Sequence, residues 1–185
     1  MAKSARQPAT YADLEALPPN LVGEILGAEL YASPRPASLH AVAGTSLVDE
    51  ITGPFQKGRG GPGGWWILYE PELHLGEDVL VPDLAGWRRD RLPRVPDAAA
   101  LTLEPDWVCE ILSPSTLRLD RALKMPIYAR EGVRHAWLLD PRARTLEVFR
   151  LEQGRWLLLG VWSEDARVRA EPFEAVEIAL PDLWA

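Results

Sequence analysis

The stretch Trp107-Val108-Cys109-Glu110-Ile111-Leu112, followed at once by Ser113-Pro114-Ser115-Thr116, decides the fold. It is a short apolar run broken by one carboxylate and closed by turn formers. Such a run fits a central strand with both faces covered. Ser113–Thr116 then caps a helix that runs to about Glu131, where Gly132 is a natural terminator. Pro126 lies inside that helix and is expected to kink it. His135 to Asp140 reads as the next strand. A helix between two strands implies a crossover, so the two strands are expected to be parallel neighbours in a mixed sheet.

Outward from this unit the chain stays regular. On the N-terminal side, Thr10-Tyr11-Ala12-Asp13 resembles a capping box that opens a short helix to about Leu17. Leu21 to Ala32 alternates around Gly27-Ala28, as a hairpin does. Ser38 is the expected N-cap of a helix to about Phe55, with Val42, Leu47, Val48 and Ile51 as its apolar stripe. Gly58 to Gly64 lacks the Gly-Lys-Ser/Thr ending of a phosphate-cradling loop and reads as a connection. Trp65 to Leu75, kinked near Pro71, and Val79 to Trp87 are expected strands. On the C-terminal side, Thr145 to Leu151 and Arg155 to Trp162 form an antiparallel meander, and Phe173 to Leu180 a final edge element. The expected fold is α/β, a three-layer core around a central mixed sheet. An N-terminal helix plus hairpin precedes it and a C-terminal antiparallel meander follows.

Composition bounds the function. At 185 residues, 47% hydrophobic and 25% charged, the chain fits a single folded domain over residues 10–185. Residues 1–9 are polar, small and uncapped, and are expected to be disordered. The lone Cys109 excludes an intrachain disulfide framework and a CxxC-type zinc site, and reads as a buried core thiol. No stretch is long and apolar enough for a membrane span, and Met1-Ala2-Lys3-Ser4 lacks the core of a signal peptide. A cytoplasmic protein with no membrane association is expected. The net charge of −7 argues against a general nucleic-acid coat. Two segments are locally basic: Arg88, Arg89, Arg91 and Arg94 in the first, Arg118, Arg121, Lys124, Arg130 and Arg134 in the second. Each follows one of the acids singled out below, and each reads either as solvated surface or as a phosphate-binding rim.

Three charged residues stand where a soluble domain favours something else. Asp83 closes the apolar run Val79-Leu80-Val81-Pro82-Asp83. Glu110 sits inside the central run. Lys124, one of three lysines in the chain, follows on the helix. Carboxylates in buried strands are costly unless cations or donors compensate them. Two carboxylates and an amine therefore read as a metal site with an auxiliary base or electrophile. Mg²⁺ takes oxygen ligands and keeps several waters. Asp83 and Glu110 on neighbouring strands supply carboxylates, and the Ile111 carbonyl adds an oxygen. Lys124 then orients a nucleophile or stabilises charge on phosphoryl oxygens. The competing reading is a buried Glu110–Lys124 ion pair that closes a core. Asp120, four residues before Lys124, shares a helix face with it and can orient the amine. Tyr128, one turn further, lines that face or packs in the core. The position of His40 at a helix start favours its neutral form.

Val81-Pro82-Asp83, Glu110-Ile111-Leu112-Ser113-Pro114-Ser115-Thr116, Asp120, Lys124, Tyr128, Gly132-Val133 and Trp137-Leu138-Leu139-Asp140-Pro141 together resemble the Uma family of restriction-endonuclease-like proteins. That family belongs to the PD-(D/E)XK nuclease superfamily. The resemblance covers about Tyr11 to Phe149. It implies a restriction-endonuclease-like core, Mg²⁺ (with Mn²⁺ as a substitute) and hydrolysis of DNA phosphodiesters. It also draws in Glu24 and His40 as further candidates for the pocket. The superfamily pattern places a lysine two residues after the strand acid. Here that position is Leu112, so the resemblance implies a lysine displaced to Lys124. Two alternatives stay open: a catalytically silent nucleic-acid-binding or regulatory protein on the same fold, and a hydrolase of small phosphate esters. Apolar runs at Trp65-Trp66-Ile67-Leu68 and Trp156 to Trp162 lead to the expectation of a homodimer.

Overall fold

The computed structural model describes residues 7–34 and 37–184. The first helix, α1 (Tyr11–Glu15), opens with the expected capping box: the Thr10 N–H donates to Asp13 Oδ2 at 2.8 Å. β1 (Leu21–Leu26) and β2 (Glu29–Pro34) pair through a two-residue turn in which Gly27 and Ala28 have φ of 58° and 66°. Both values lie in the left-handed region that such a hairpin turn demands. Of the segment 1–9 expected to be disordered, residues 1–6 lie outside the described residues, and the Ala9 N–H donates to the Ala28 carbonyl.

Next come α2 (Ser38–Ile51) and a π-helical turn, Thr52–Gln56, that contains Pro54. Ser38 is the first helical residue rather than its cap; Ala37 holds the cap position and makes no side-chain bond. The buried face is His40, Ala43, Gly44, Leu47 and Ile51, whereas Val42 is exposed. Small residues on the buried face let this helix press close to the sheet, which an apolar stripe alone does not reveal.

The stretch from Trp65 to Arg88 corrects the expected two strands. It forms four: β3 (Trp65–Tyr69), β4 (Leu73–Leu75), β5 (Asp78–Leu80) and β6 (Leu84–Arg88). β3 and β6 join one sheet, β4 and β5 another. The chain changes sheet at Glu70-Pro71-Glu72 and returns at Val81-Pro82-Asp83. A proline at each crossing has no N–H to give a ladder, so each sheet ends there. The two crossings are bonded to each other, the Glu70 N–H donating to the Asp83 carbonyl at 2.9 Å.

β7 (Trp107–Ile111) is fully buried. It leads through α3 (Leu117–Leu119), a second π-helical turn (Asp120–Lys124) and α4 (Met125–Arg130) to β8 (His135–Asp140). β7 and β8 are parallel, as the crossover requires. In the π turn the Met125 N–H reaches back to the Asp120 carbonyl. Widening the coil there accommodates Pro126, whose ring would otherwise press on the preceding turn. The meander is β9 (Thr145–Glu152) and β10 (Arg155–Ser163). The last expected edge element is smaller: β11 (Arg167–Val168) pairs with β12 (Ile178–Ala179) as a separate ribbon before a 3₁₀ turn at Leu180–Leu183. Phe173 is buried in the core instead, its ring 4.7–5.6 Å from those of Phe55, Trp65, Trp107 and Trp137.

The large sheet runs β10-β9-β8-β7-β6-β3 and the small one β2-β1-β5-β4. Period-two alternation divides the large sheet's side chains. Trp107, Cys109, Ile111, Trp137 and Leu139 pack with α2 and Phe173 on one face. Val108, Leu112, Ala136 and Leu138 pack on the other with Met125, Ile127 and Tyr128 and with Leu26, Leu73 and Leu80 of the small sheet. The fold is a mixed α/β architecture around a central mixed sheet. Glu110 shares a face with Val108 and Leu112. It therefore points into the layer that contains the second helical segment.

Candidate functional site

Glu110 is 1% exposed and Lys124 is 2% exposed, so neither charge is hydrated. The Lys124 Nζ lies 2.9 Å from each Glu110 carboxylate oxygen. It also lies 3.0 Å from Glu24 Oε1, 3.1 Å from the Val81 carbonyl and 3.8 Å from Asp120 Oδ1. The Tyr128 hydroxyl donates to Glu110 Oε1 at 2.6 Å. The Val81 N–H donates to Glu24 Oε1 at 2.8 Å, which fixes the small sheet to the cluster. Asp120, Lys124 and Tyr128 face the same way because they recur at four-residue spacing across the π turn.

Asp83 approaches from the return crossing. Its Oδ2 accepts the Ile111 N–H at 2.7 Å, and its Oδ1 lies 3.0 Å from His40 Nε2. The Ile111 peptide thus sits between the two acids. These groups open onto a cavity of about 280 Å³, lined by Glu24, His40, Glu70, Asp83, Glu110 and Lys124 together with Asp120 and the Ser113–Thr116 turn. In that turn the Ser113 hydroxyl lies 2.9 Å from Ser115 Oγ and 3.0 Å from Thr116 Oγ1.

All the sequence-derived candidates therefore converge on one cavity wall or on groups touching it. Glu70 was not among them. Its signal was available, since Glu70-Pro71 mirrors Pro82-Asp83: an acid beside a proline at a strand break.

The electrostatics are lopsided. Glu24, Glu70, Asp83, Glu110 and Asp120 surround Lys124 and His40. Burial lowers the Lys124 pKa, but Glu110 and Glu24 outweigh it and hold the amine well above its usual range. The cation is secure, and the shortage of positive charge falls on the acids. Burial pushes the Glu110 carboxyl well up, against the pull of Lys124. Burial also pushes Asp120 up to about 6, again against Lys124. His40 corrects its expected neutrality. Burial lowers it most strongly, yet the hydrogen bond and charge of Asp83, with Glu70 and Asp120 behind, bring its pKa above the ordinary value. Burial raises the Cys109 thiol well above its normal range, in keeping with an inert core thiol.

Asp120 gives a pH prediction. An acid whose folded pKa exceeds its unfolded one binds more protons when folded, so stability falls as pH rises from about 4 to about 6. Asp120→Asn removes that slope. Urea denaturation of both proteins at pH 4 and pH 7 is expected to show the variant gaining on the wild type at the higher pH. A constant difference would refute the assignment.

Several arginines of the two basic segments are engaged within the chain. Arg89 donates to the Trp65 and Gln56 carbonyls and lies over the Trp66 ring. Arg91 pairs with Glu104 and Asp106, Arg121 with Glu147, and Arg130 with Asp78. His74, on β4, bonds Glu72 at 2.7 Å, away from the cavity. Among the described residues no three His, Cys, Asp or Glu side chains stand ready as a metal cluster. Nor is any helix among them long and apolar enough to cross a membrane.

Comparison with known proteins gives the family. No curated protein matches the chain. A crystal structure from Anabaena variabilis, described as "a putative nuclease belonging to DUF820", aligns with a TM-score of 0.75 at 25% identity. The alignment covers 95% of this chain and 97% of that one. The family model Uma2, described as "Putative restriction endonuclease", matches residues 8–181. That span is nearly the whole chain, and the protein belongs to the Uma2 family.

Proposed function

We propose that this protein is a metal-dependent endonuclease that hydrolyses DNA phosphodiester bonds at the Asp83–Glu110–Lys124 site. One observation carries the reading: Asp83 and Glu110, linked through the Ile111 peptide, line one open cavity together with a buried amine that contacts Glu110. The donor set suits a hard divalent cation. Asp83 and Glu110 offer carboxylate oxygens, and Mg²⁺ commonly uses only one or two of these beside retained waters. The excess of acids over cations gives such an ion an electrostatic reason to bind. When bound, Mg²⁺ or Mn²⁺ supplies Lewis-acid activation of water and neutralises phosphoryl charge.

The chain's own groups do the rest. The Ile111 N–H and His40 fix the Asp83 carboxylate, and the Tyr128 hydroxyl fixes Glu110. Lys124 is in the position to orient an attacking water or to stabilise negative charge on the phosphoryl oxygens. Leu112, two residues after Glu110, is apolar and buried, and Lys124 reaches Glu110 from the helical segment that follows. Purified protein with Mg²⁺ or Mn²⁺ is expected to cleave DNA, and Glu110→Gln to abolish cleavage.

A second reading has its own support. Lys124 already touches Glu110 and Glu24, a closed ionic cluster that a catalytically silent nucleic-acid-binding protein would also hold. Absence of metal-dependent cleavage together with retained DNA binding would select it.

A homodimer belongs to the same proposal. Among the described residues β10 is an edge strand, paired only with β9, and exposes Leu157, Leu158 and Val161. Apolar side chains clustered on an unpaired edge favour coverage by a second copy. The other expected patch contributes less, because Trp65 and Ile67 are buried in the core. Light scattering at micromolar concentration is expected to give twice the monomer mass; a value near 20.6 kDa would refute the dimer.

A further inference from the structure

We infer that the site accepts one unstacked nucleotide of single-stranded DNA, not a phosphodiester within an intact duplex, and that Tyr69 is the platform on which its base stacks. The inference rests on the nuclease reading above and specifies its substrate.

Depth comes first. Glu110, Lys124, Asp120 and Glu24 are between 1% and 5% exposed, so a phosphate must descend into the cavity to meet them. The cavity is about 280 Å³, near the lower end of small-ligand sites at roughly 300–1,000 Å³. It has room for about one nucleotide. An intact duplex, many nucleotides in bulk, cannot follow it in. Enzymes that do chemistry on a base meet the same geometric problem and act on single strands or on nucleotides drawn out of the stack.

The rim points the same way. Leu39, Tyr69 and Leu117 are exposed, and each is the chain neighbour of a residue that lines the cavity: His40, Glu70 and Thr116. Exposed apolar residues thus flank the lining segments in the chain, and an apolar surface suits base faces. A duplex-binding rim needs free cations for phosphates. Four arginines of the two basic segments, Arg89, Arg91, Arg121 and Arg130, are bound instead to partners within the chain, which leaves fewer cations for a duplex backbone. Unpaired bases present the π-faces that aromatic side chains hold in single-strand sites.

Tyr69 is the group placed for that contact. It ends β3 just before the first sheet crossing and is 48% exposed. Its Cε2 lies 3.5 Å from where a Cβ on Gly44 would sit, so the ring rests against α2 one turn from His40. Its hydroxyl is hydrogen-bonded to the Glu70 side chain, so the ring is held beside the cavity while about half of the residue remains exposed.

The test uses one fluorescein-labelled oligonucleotide, alone and annealed to its complement, with the full chain in Mg²⁺ and Mn²⁺. Anisotropy is expected to show the single strand bound about tenfold more tightly or better, and gel analysis to show it cut faster. Tyr69→Ala is expected to weaken single-strand binding about tenfold, the scale of losing one stacked base, and to leave duplex binding unchanged. Tyr69→Phe keeps the ring and is expected to keep the affinity, which separates stacking from a loss of folding. Equal or better binding and cleavage of the duplex would overturn the inference and leave the nuclease reading standing. Preferential single-strand binding without cleavage would sustain the substrate class and refute the nuclease. Tyr69→Ala binding like the wild type would remove Tyr69 from the site.

Discussion

Lys124→Met is expected to lose about 3–5 kcal/mol of folding stability, the usual result of leaving a buried charge without its partner. The amine touches both Glu110 oxygens, Glu24 and the Val81 carbonyl, and Met can replace only its methylene stem. Glu110, already biased towards its protonated form by burial, would take a proton in response. The variant is therefore expected to recover at low pH and to weaken as pH rises, more steeply than the wild type. Guanidinium denaturation from pH 5 to pH 8 reads both effects. Adding Glu110→Gln to Lys124→Met removes the stranded charge and is expected to restore part of the loss, a coupling that the double-mutant cycle measures. A loss below about 1 kcal/mol would mean that the pair behaves like a hydrated surface bridge, contrary to its burial.

Asp83→Asn is expected to weaken Mg²⁺ and Mn²⁺ binding by more than about a hundredfold, since even groups that only support metal ligands contribute about 10- to 100-fold. The substitution is gentle. The Asp83 side chain is 16% exposed, and an amide oxygen can still accept the Ile111 N–H. Folding is expected to survive while cleavage is lost. Glu110→Gln is expected to show the same metal defect with an added stability loss, because it also takes a partner from Lys124. Titration calorimetry decides the matter: unchanged metal affinity in both variants would remove the proposed ligands. Asp83→Asn is the cleaner arm, because its effect cannot be confused with the breaking of the buried pair.

The central unit was legible because local signals agreed there. The apolar run of β7, the Ser-Pro-Ser-Thr turn, Gly132 at φ 84° and the parallel β8 each follow from neighbouring residues. The helix start at Ser38 was missed by one position because Ala37 and Ser38 exchange cap and first-turn roles without a side-chain bond to mark them. The two sheets were not separable in sequence. Trp65 to Leu75 is one pattern of apolar residues; β4 and β5 pair locally across Gly76-Glu77, and it is the long-range pairing of β3 with β6 and of β5 with β1 that puts them in different sheets. Glu70 carries a local mark, an acid beside Pro71, but its relation to Asp83 is a hydrogen bond between two loops rather than a spacing. Asp83, Glu110 and Lys124 stood out because charge in an apolar context is anomalous anywhere in a chain. That anomaly locates a site and leaves its chemistry to experiment.

The π turn at Asp120–Lys124 has a consequence for how relatives of this protein can be recognised. A wide turn takes up a surplus residue while the helical faces before and after it keep their orientation. The number of residues between the strand acid and the lysine is then elastic. A relative with one residue fewer in this turn could still deliver its amine to the same carboxylate through an ordinary helix. Pattern searches that demand a fixed acid-to-lysine interval would pass over such a chain. A rule framed on the acid in the central strand and on the helix face packed against it would retain it.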